Sequence, residues 1–331
     1  MNPVFINGIG IISAAAKTSV ELLELAKSDK FAEINFGKNT FEIGVPSSKV
    51  RRCPRYAKIA VATANSALND ANFTDSIDKT RIGTIFSTGY GAVESTIIFS
   101  DSVVDGIPSL CSPTVFSYTV FNSCLGQVCI VNGFKGVSTM MLGGDPLEYS
   151  TLLLNTDKAD LIIGGAIEEY NEELKTSILC DNILNEKIIS EGAVLFALSR
   201  QENSNSYCKI TKFSSASLEK YPYLYKVEKN STVEIISSIL IDASKDKFPE
   251  IVLTQQNQSY FDEIEMSAMK KVFAENVNYF NSKSIFGETF NCSYSLNVAM
   301  AAAFIKSGRY KSALATGIDV HGNYLTALLE A

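Results

Sequence analysis

The chain predicts a layered α/β protein with covered sheets. Apolar strand-like segments alternate with helical ones along most of its length. Those strands read as buried runs, the pattern of a sheet packed on both faces. After a polar break the same order of elements starts again, so the chain reads as two topologically similar halves.

The elements come in this order. Val4–Ile12 is a strand with a glycine turn, and Tyr56–Ala71 is a helix with alanine on its packing side. Arg81–Ser87 is a strand leading into the Gly89-Tyr90-Gly91 turn, and Gly126–Asn132 ends a helix that closes at Gly133. Ser138–Leu142, Ala159–Gly164 and Ala193–Ser199 read as buried strands. The polar stretch Arg200–Ser206 breaks the pattern. Strand Cys208–Phe213, helix Thr232–Ala243, strand Ile251–Leu253 and helices Glu263–Phe273 and Ser295–Ser307 follow, then strands Ser312–Gly317 and Tyr324–Leu329. This divides the chain into an N-terminal half, residues 1–200, and a shortened C-terminal half, 201–331, packed as one compact domain.

The most informative segment is GVSTMMLGGDPLE, Gly136–Glu148. It reads as a short strand, a Gly143-Gly144 turn and a helix starting at Asp145-Pro146. Asp145 is a favoured N-cap, since its carboxylate can accept a first-turn N–H. Pro146 fits the first helical position, where a missing N–H costs nothing. Glu148 stands where the second half of a capping box would stand, and Leu147, Leu152, Leu153 and Leu154 give an apolar face. A strand-to-helix elbow can also present a nucleophile at the positive end of a helix. Asp145 is therefore either a cap or a catalytic carboxylate.

Composition excludes several functions. The 331 residues carry 29 basic and 36 acidic side chains, a net charge of −7 that argues against nucleic acid as a main partner. The cluster Lys49, Arg51, Arg52, Arg55 and Lys58 reads as a solvated face or as a docking patch for an acidic partner. Seven scattered cysteines without a CxxC pair, and a single histidine, argue against a zinc site, so neither metal nor cofactor is expected. The odd cysteine count suggests reduced thiols in the cytoplasm. The N-terminus reads as a strand and turn instead of a signal peptide, and no run of about 18 apolar residues predicts a membrane span.

Several of these segments together resemble the β-ketoacyl synthases of the thiolase superfamily. NPVFINGIGIIS is similar to their opening strand, RYAKIAVATANSALNDANF to the first long helix and RIGTIFSTGYGAVES to the next strand and turn. SPTVFSYTVFNSCLGQVCIVNGFKGVSTMMLGG resembles the interface segment before the active-site elbow. ADLIIGGAIEEY and SEGAVLFALSR resemble two further strands. FDEIEMSAMKKVF and SKSIFGETFNCSYSLNVAMAAAFIKSG resemble helices near the catalytic histidines. The resemblance implies a thiolase-like αβαβα fold. It is strong before Arg200 and thin after it.

The resemblance also places the family's functional positions. The nucleophilic cysteine falls on Asp145, the first catalytic histidine on about Thr254 and the second on Glu288, while the family lysine is retained as Lys283. The glycine-rich loop falls on Gly317–Asn323, where His321 is either a satisfied loop residue or a relic. A carboxylate is a weak nucleophile whose charge opposes a developing oxyanion. Thr254 can donate one hydrogen bond, but an ionised Glu288 only accepts and, if close, repels Asp145. The expectation is a chain without ketosynthase activity of its own.

Chain length factors of type II polyketide synthases fit this pattern. The resemblance implies a heterodimer with an active ketosynthase, acyl carrier protein met through that partner, and a polyketide tunnel at the interface. Tunnel or interface candidates are Thr96, Ile97, Phe99, Ser100 and Val103 on a helix over Ser95–Val104, then Phe116, Tyr118 and Phe121, with Met140 on the interface strand. Ordinary core packing is the alternative for each. The C-terminal half is short, with almost nothing between Ser307 and Ser312, which fits a subunit that no longer receives the carrier. The product would be an aromatic polyketide or an aryl polyene. Two rival readings stand beside this one. One is an acyltransferase or hydrolase using Asp145, Glu288, Cys111 or Cys124; the other is a homodimer that binds an acyl chain.

Overall fold

A computed structural model describes residues 2–28, 34–73, 77–104, 106, 109, 111–179, 189–256 and 259–331. The first half contains β1 (Val4–Ile12), α1 (Ser19–Lys27), α2 (Arg55–Asp70), β2 (Ile82–Thr88), α3 (Val93–Val104), α4 (Pro113–Phe116), α5 (Ser123–Asn132), β3 (Ser138–Leu142), α6 (Pro146–Asn155), β4 (Leu161–Glu168), α7 (Glu172–Leu179) and β5 (Gly192–Ser199). The second contains β6 (Cys208–Ser217), α8 (Lys229–Ser244), β7 (Ile251–Thr254), α9 (Phe261–Phe273), β8 (Asn278–Asn281), α10 (Lys283–Phe286), α11 (Cys292–Lys306), β9 (Ser312–Ile318) and β10 (Asn323–Glu330).

The strands join in the order β3-β2-β4-β5-β1-β6-β10-β9-β7-β8. Read outward from the middle, the two halves have the same topology. In the first, β2 runs parallel to β3 and β4, while β5 is antiparallel to β4 and β1. In the second, β7 runs parallel to β8 and β9, while β10 is antiparallel to β9 and β6. The halves meet where Val4, Phe5 and Ile6 of β1 pair with Ile210, Lys209 and Cys208 of β6.

Alternate side chains on each strand enter different layers, as the two-residue period requires. On β5, Val194, Phe196 and Leu198 face the shared middle layer; Ala193, Leu195 and Ala197 face α2 and α5. On β10, Leu325, Ala327 and Leu329 face the middle; Tyr324 and Leu328 face α8 and α9. The middle layer is built around α6 and α11. The result is the expected αβαβα stack. α11 is buried along Cys292–Ile305, and its small residues, among them Ala301, Ala302 and Ala303, let sheet and helix approach closely.

Three local expectations need correction. Ser138–Leu142 is not a buried strand: it ends the sheet, pairs only with β2, and Ser138 and Leu142 are exposed. Leu152 does not join the apolar face of α6 but points to solvent, while Leu147 and Leu154 enter the core. Arg55 leaves the basic cluster to meet Glu191, which is fully buried, through Nε at 2.8 Å and through Nη2. Its guanidinium also sits 5.1 Å from the Phe41 ring.

Candidate functional site

The elbow is built as its residues dictate. β3 ends at Leu142, and Gly143 and Gly144 turn the chain at φ +75° and +74°, a region that penalises a Cβ. A Cβ at Gly143 would also lie 2.5 Å from His321 Cδ2. Asp145 is then the N-cap of α6, its Oδ1 accepting the N–H of Leu147 at 2.8 Å and of Glu148 at 3.1 Å. Its Oδ2 accepts the Tyr294 phenol at 2.7 Å. Burial raises its pKa to about 7 against these donors, with a further rise from the Glu148 charge.

The Gly317–Asn323 loop closes over this turn. Asp319 Oδ2 accepts the Gly144 N–H at 2.7 Å, and Oδ1 accepts the N–H groups of His321 and Asn323, each at 2.9 Å. His321 Nε2 lies 3.1 Å from the Leu142 carbonyl at the end of β3, so its ring has a backbone partner there. Asn291 donates to Ser87 Oγ, which in turn donates to the Gly143 carbonyl at 2.9 Å.

Glu288 and Thr254 meet α11, the helix that carries Tyr294. Glu288 is fully buried and accepts from Lys283 Nζ, from Phe290 N–H at 2.8 Å and from Ser293 Oγ at 3.2 Å. Lys283 is buried too, its ammonium 4.2 Å from the centre of the Tyr223 ring. Thr254 ends β7, buried, with its carbonyl accepting Asn297 Nδ2 at 3.3 Å and its hydroxyl 3.5 Å from the Phe280 carbonyl. Asp145, Glu288 and Thr254 are thus gathered on the first turns of α11, through Tyr294, Ser293 and Asn297 respectively.

Each carboxylate has its own donors, and the like charge acting on Asp145 is that of Glu148. Among the described residues, cavities of about 370 to 610 Å³ open elsewhere, and their walls do not include Asp145, Thr254, Lys283 or Glu288. Cys124, a displaced nucleophile in one rival reading, is buried with its thiol pushed up to about 12 and hence protonated at neutral pH. Cys111 lies with its sulfur 3.4 Å from Ser102 Oγ, and Cys180 falls outside the described residues. Among the described residues no cluster of histidine, cysteine or carboxylate side chains could hold a metal ion.

Sequence reasoning missed Tyr294. The available signal was one large aromatic in a helix of small residues, CSYSLNVAMAAA. Gly317 makes room for it, since a Cβ there would lie 2.3 Å from Tyr294 Cβ.

The tunnel candidates lie on a different face. Thr96, Ser100, Val103, Phe116 and Phe121 are exposed; Ile97, Phe99, Tyr118 and Met140 are half-buried. The Phe99 and Phe116 rings meet at a tilt of 48° with centroids 5.1 Å apart. Tyr118 and Met140 pack against the core beside α2 and α5, where the Tyr118 hydroxyl lies 3.5 Å from Cys53 Sγ. Among the described residues, eight of thirteen exposed large hydrophobic side chains belong to the stretch from α3 to β3: Ile98, Val103, Val104, Phe116, Val120, Phe121, Ile130 and Leu142. A groove of about 480 Å³ between Thr119–Asn122 and Met140–Leu142 opens there.

Solved structures that share this fold include ketosynthases. The chain matches the ishigamide ketosynthase/chain length factor with a TM-score of 0.81 at 12% identity, over 99% of both chains. It matches a β-ketoacyl synthase from Burkholderia phymatum with a TM-score of 0.79 at 14% identity, over 100% of this chain and 99% of that one. It matches AntDE:AntF, a type II polyketide synthase acyl-carrier protein in complex with its ketosynthase, with a TM-score of 0.75 at 15% identity, over 100% and 99%. The ketosynthase-like, thiolase-type fold is thereby established. No protein-family model matches the chain, and no curated protein matches it. No helix among the described residues is long and apolar enough to cross a membrane.

Proposed function

We propose that this chain is a non-catalytic ketosynthase-like subunit, a chain length factor that pairs with an active ketosynthase and shapes the cavity in which a polyketide grows. The observation that carries the reading is the state of Asp145. Both its oxygens are committed, one to the first turn of α6 and the other to Tyr294. Acyl transfer needs an exposed, activated nucleophile and free donors for an oxyanion. Here the elbow carries a buried cap, and the Gly144 amide beside it is already taken by Asp319.

The eight exposed apolar side chains from α3 to β3, of which Val120, Phe121 and Leu142 line one groove beside the edge strand, support the second part of the reading. An exposed patch of this kind marks a protein interface, and an edge strand offers unpaired backbone groups to a partner. The partner is a working ketosynthase; acyl carrier protein docks on that partner, and the complex works in the cytoplasm without a cofactor. Thr96, Ile97, Phe99, Ser100, Val103, Phe116, Tyr118, Phe121 and Met140 would then border the shared tunnel or interface. Solved structures of this fold include a ketosynthase/chain length factor, which agrees with the assignment.

Co-expression with the ketosynthase of its own genome tests the proposal. The expected result is a stable one-to-one complex and better solubility than that of the chain alone. A well-behaved monomer or homodimer that ignores the ketosynthase would contradict it.

One observation favours a second reading. A carboxyl with a pKa of about 7 is suited to acid–base catalysis at neutral pH. An enzyme that used Asp145 in this way would lose its activity in Asp145→Asn, whereas the scaffold keeps its pairing and its product.

A further inference from the structure

A mainly polar cleft of about 370 Å³ opens between α6, β6 and the turn after α8. Glu148 and Thr151 wall it from α6, Thr211 and Lys212 from β6, and Asp246 from the turn. β6 bulges there: Lys212 pairs with Leu328 and Ile210 with Leu329, so Thr211 is an extra residue between them. Bulges of this kind re-aim side chains and recur beside functional sites. The Thr211 hydroxyl donates to Glu330 Oε1 at 2.9 Å.

Thr151 points to a ligand. A hydroxyl side chain inside a helix commonly donates to the carbonyl four residues back. Thr63 and Thr96 do so here, each at 2.8 Å, and Ser150 does so at 2.6 Å. The Thr151 hydroxyl makes no such bond and has no partner among the described residues, although the residue is only 1% exposed. A buried hydroxyl left unpaired costs stability. Thr151 lines the cleft, and a molecule bound there would pair it.

The charge of the wall sets the kind of molecule. Lys212 is the one cation in the wall among the described residues, and Asp242 holds its Nζ at 3.0 Å. Glu148 and Asp246 have no ion pair among the described residues. Lys245 and Lys247 flank Asp246 in sequence but do not line the cleft. Two unpaired carboxylates on different walls favour positive charge. No cluster among the described residues could hold a metal ion, so these acceptors suit an organic cation.

We infer that this cleft binds a small aliphatic diamine, one ammonium group held by Glu148 and the Thr151 hydroxyl and the other by Asp246. Each ammonium gains a charge-assisted hydrogen bond to a carboxylate, and the methylenes between them lie against Ile210 and Phe213. Glu148 stands in the first turn of α6, and its N–H donates to Asp145 Oδ1 at 3.1 Å. The cleft therefore shares that turn with the elbow, and it does not depend on the proposed pairing with a ketosynthase.

Isothermal titration of the full chain with 1,4-diaminobutane at low ionic strength tests the site. The expected result is one molecule per chain with a Kd below about 1 mM, and binding of 1-aminobutane about tenfold weaker. Glu148→Gln and Asp246→Asn should each weaken binding about tenfold. Glu24→Gln, which removes an exposed carboxylate of α1, should leave it unchanged. Thr151→Val keeps the shape and removes the unpaired hydroxyl. It should weaken binding about threefold or more, yet melt no lower than the wild type without diamine. Absence of binding, or an equal loss in Glu24→Gln, would overturn the inference. So would displacement of the diamine by an equal concentration of magnesium ion, or a Thr151→Val chain that binds as well as the wild type or melts lower. No ketosynthase is present, so failure of this site and failure of the pairing are read separately.

Discussion

The phenol of Tyr294 donates to Asp145 Oδ2 at 2.7 Å, joining the elbow to the buried helix α11. This one bond links the N-cap of α6 to the helix on which Glu288 and Thr254 also find partners. Tyr294→Phe removes the donor and leaves a buried carboxyl oxygen without it. The expected cost is about 1–2 kcal/mol, read as a lower urea midpoint with an unchanged slope. An unchanged midpoint would mean that the bond contributes nothing.

Asp145 also makes stability depend on pH. Its pKa is raised to about 7, so folding favours the protonated form. The stabilising contribution is complete below about pH 4 and is lost as pH rises through about 7. The shift of about three units sets a ceiling of roughly 4 kcal/mol. Asparagine caps a helix as well as aspartate does. Asp145→Asn should therefore flatten this part of the melting profile between pH 5 and 8, and should gain on the wild type at pH 8. A steeper profile in the variant would contradict the sign.

The limits of sequence reading follow from these same residues. Asp145 as a cap was legible because its partners, Leu147 and Glu148, lie within one helical turn. Tyr294 was not, because it stands 149 positions away. The alternation of elements along the chain was legible, and the second half repeats the topology of the first despite weak sequence likeness. The exposure of Ser138 and Leu142 at the ends of β3 was not legible from its apolar run, although the resemblance places this strand at an interface. Arg55 looked like one of five surface cations, since nothing near it in sequence announces Glu191 as its partner.

Lys283 and Glu288 form a buried ion pair that makes its own test. Lys283→Met leaves Glu288 without its cation in the interior. The expected loss is about 3–5 kcal/mol by chemical unfolding. Adding Glu288→Gln should recover part of it, since an amide does not demand a counter-charge. Equal losses in the single and double variants would show that the pairing is not the cause.

The face between α3 and β3 should behave as an interface and not as a core. Val104→Ser and Leu142→Ser alter exposed side chains, so thermal stability of the isolated chain should move by no more than about 0.5 kcal/mol. Retention on an immobilised ketosynthase should fall about tenfold or more if these side chains lie in the buried centre of the contact. Stability losses without any loss of retention would assign the face to folding alone.

Gly91→Ala addresses the seat of Phe121. The substitution puts a side chain at φ +70° and drives a Cβ into the Phe121 ring. A loss of more than about 1 kcal/mol is expected, with Phe121→Ala restoring part of it in the double variant. Additive effects would mean that the two residues do not press on each other.

Intact-mass spectrometry after incubation with an acyl-carrier thioester tests the central claim most directly, with this chain alone and with its ketosynthase. The expected spectrum shows this chain unmodified in both reactions and an acyl adduct on the ketosynthase only. An acyl adduct on this chain, at Asp145 or anywhere else, would contradict the account.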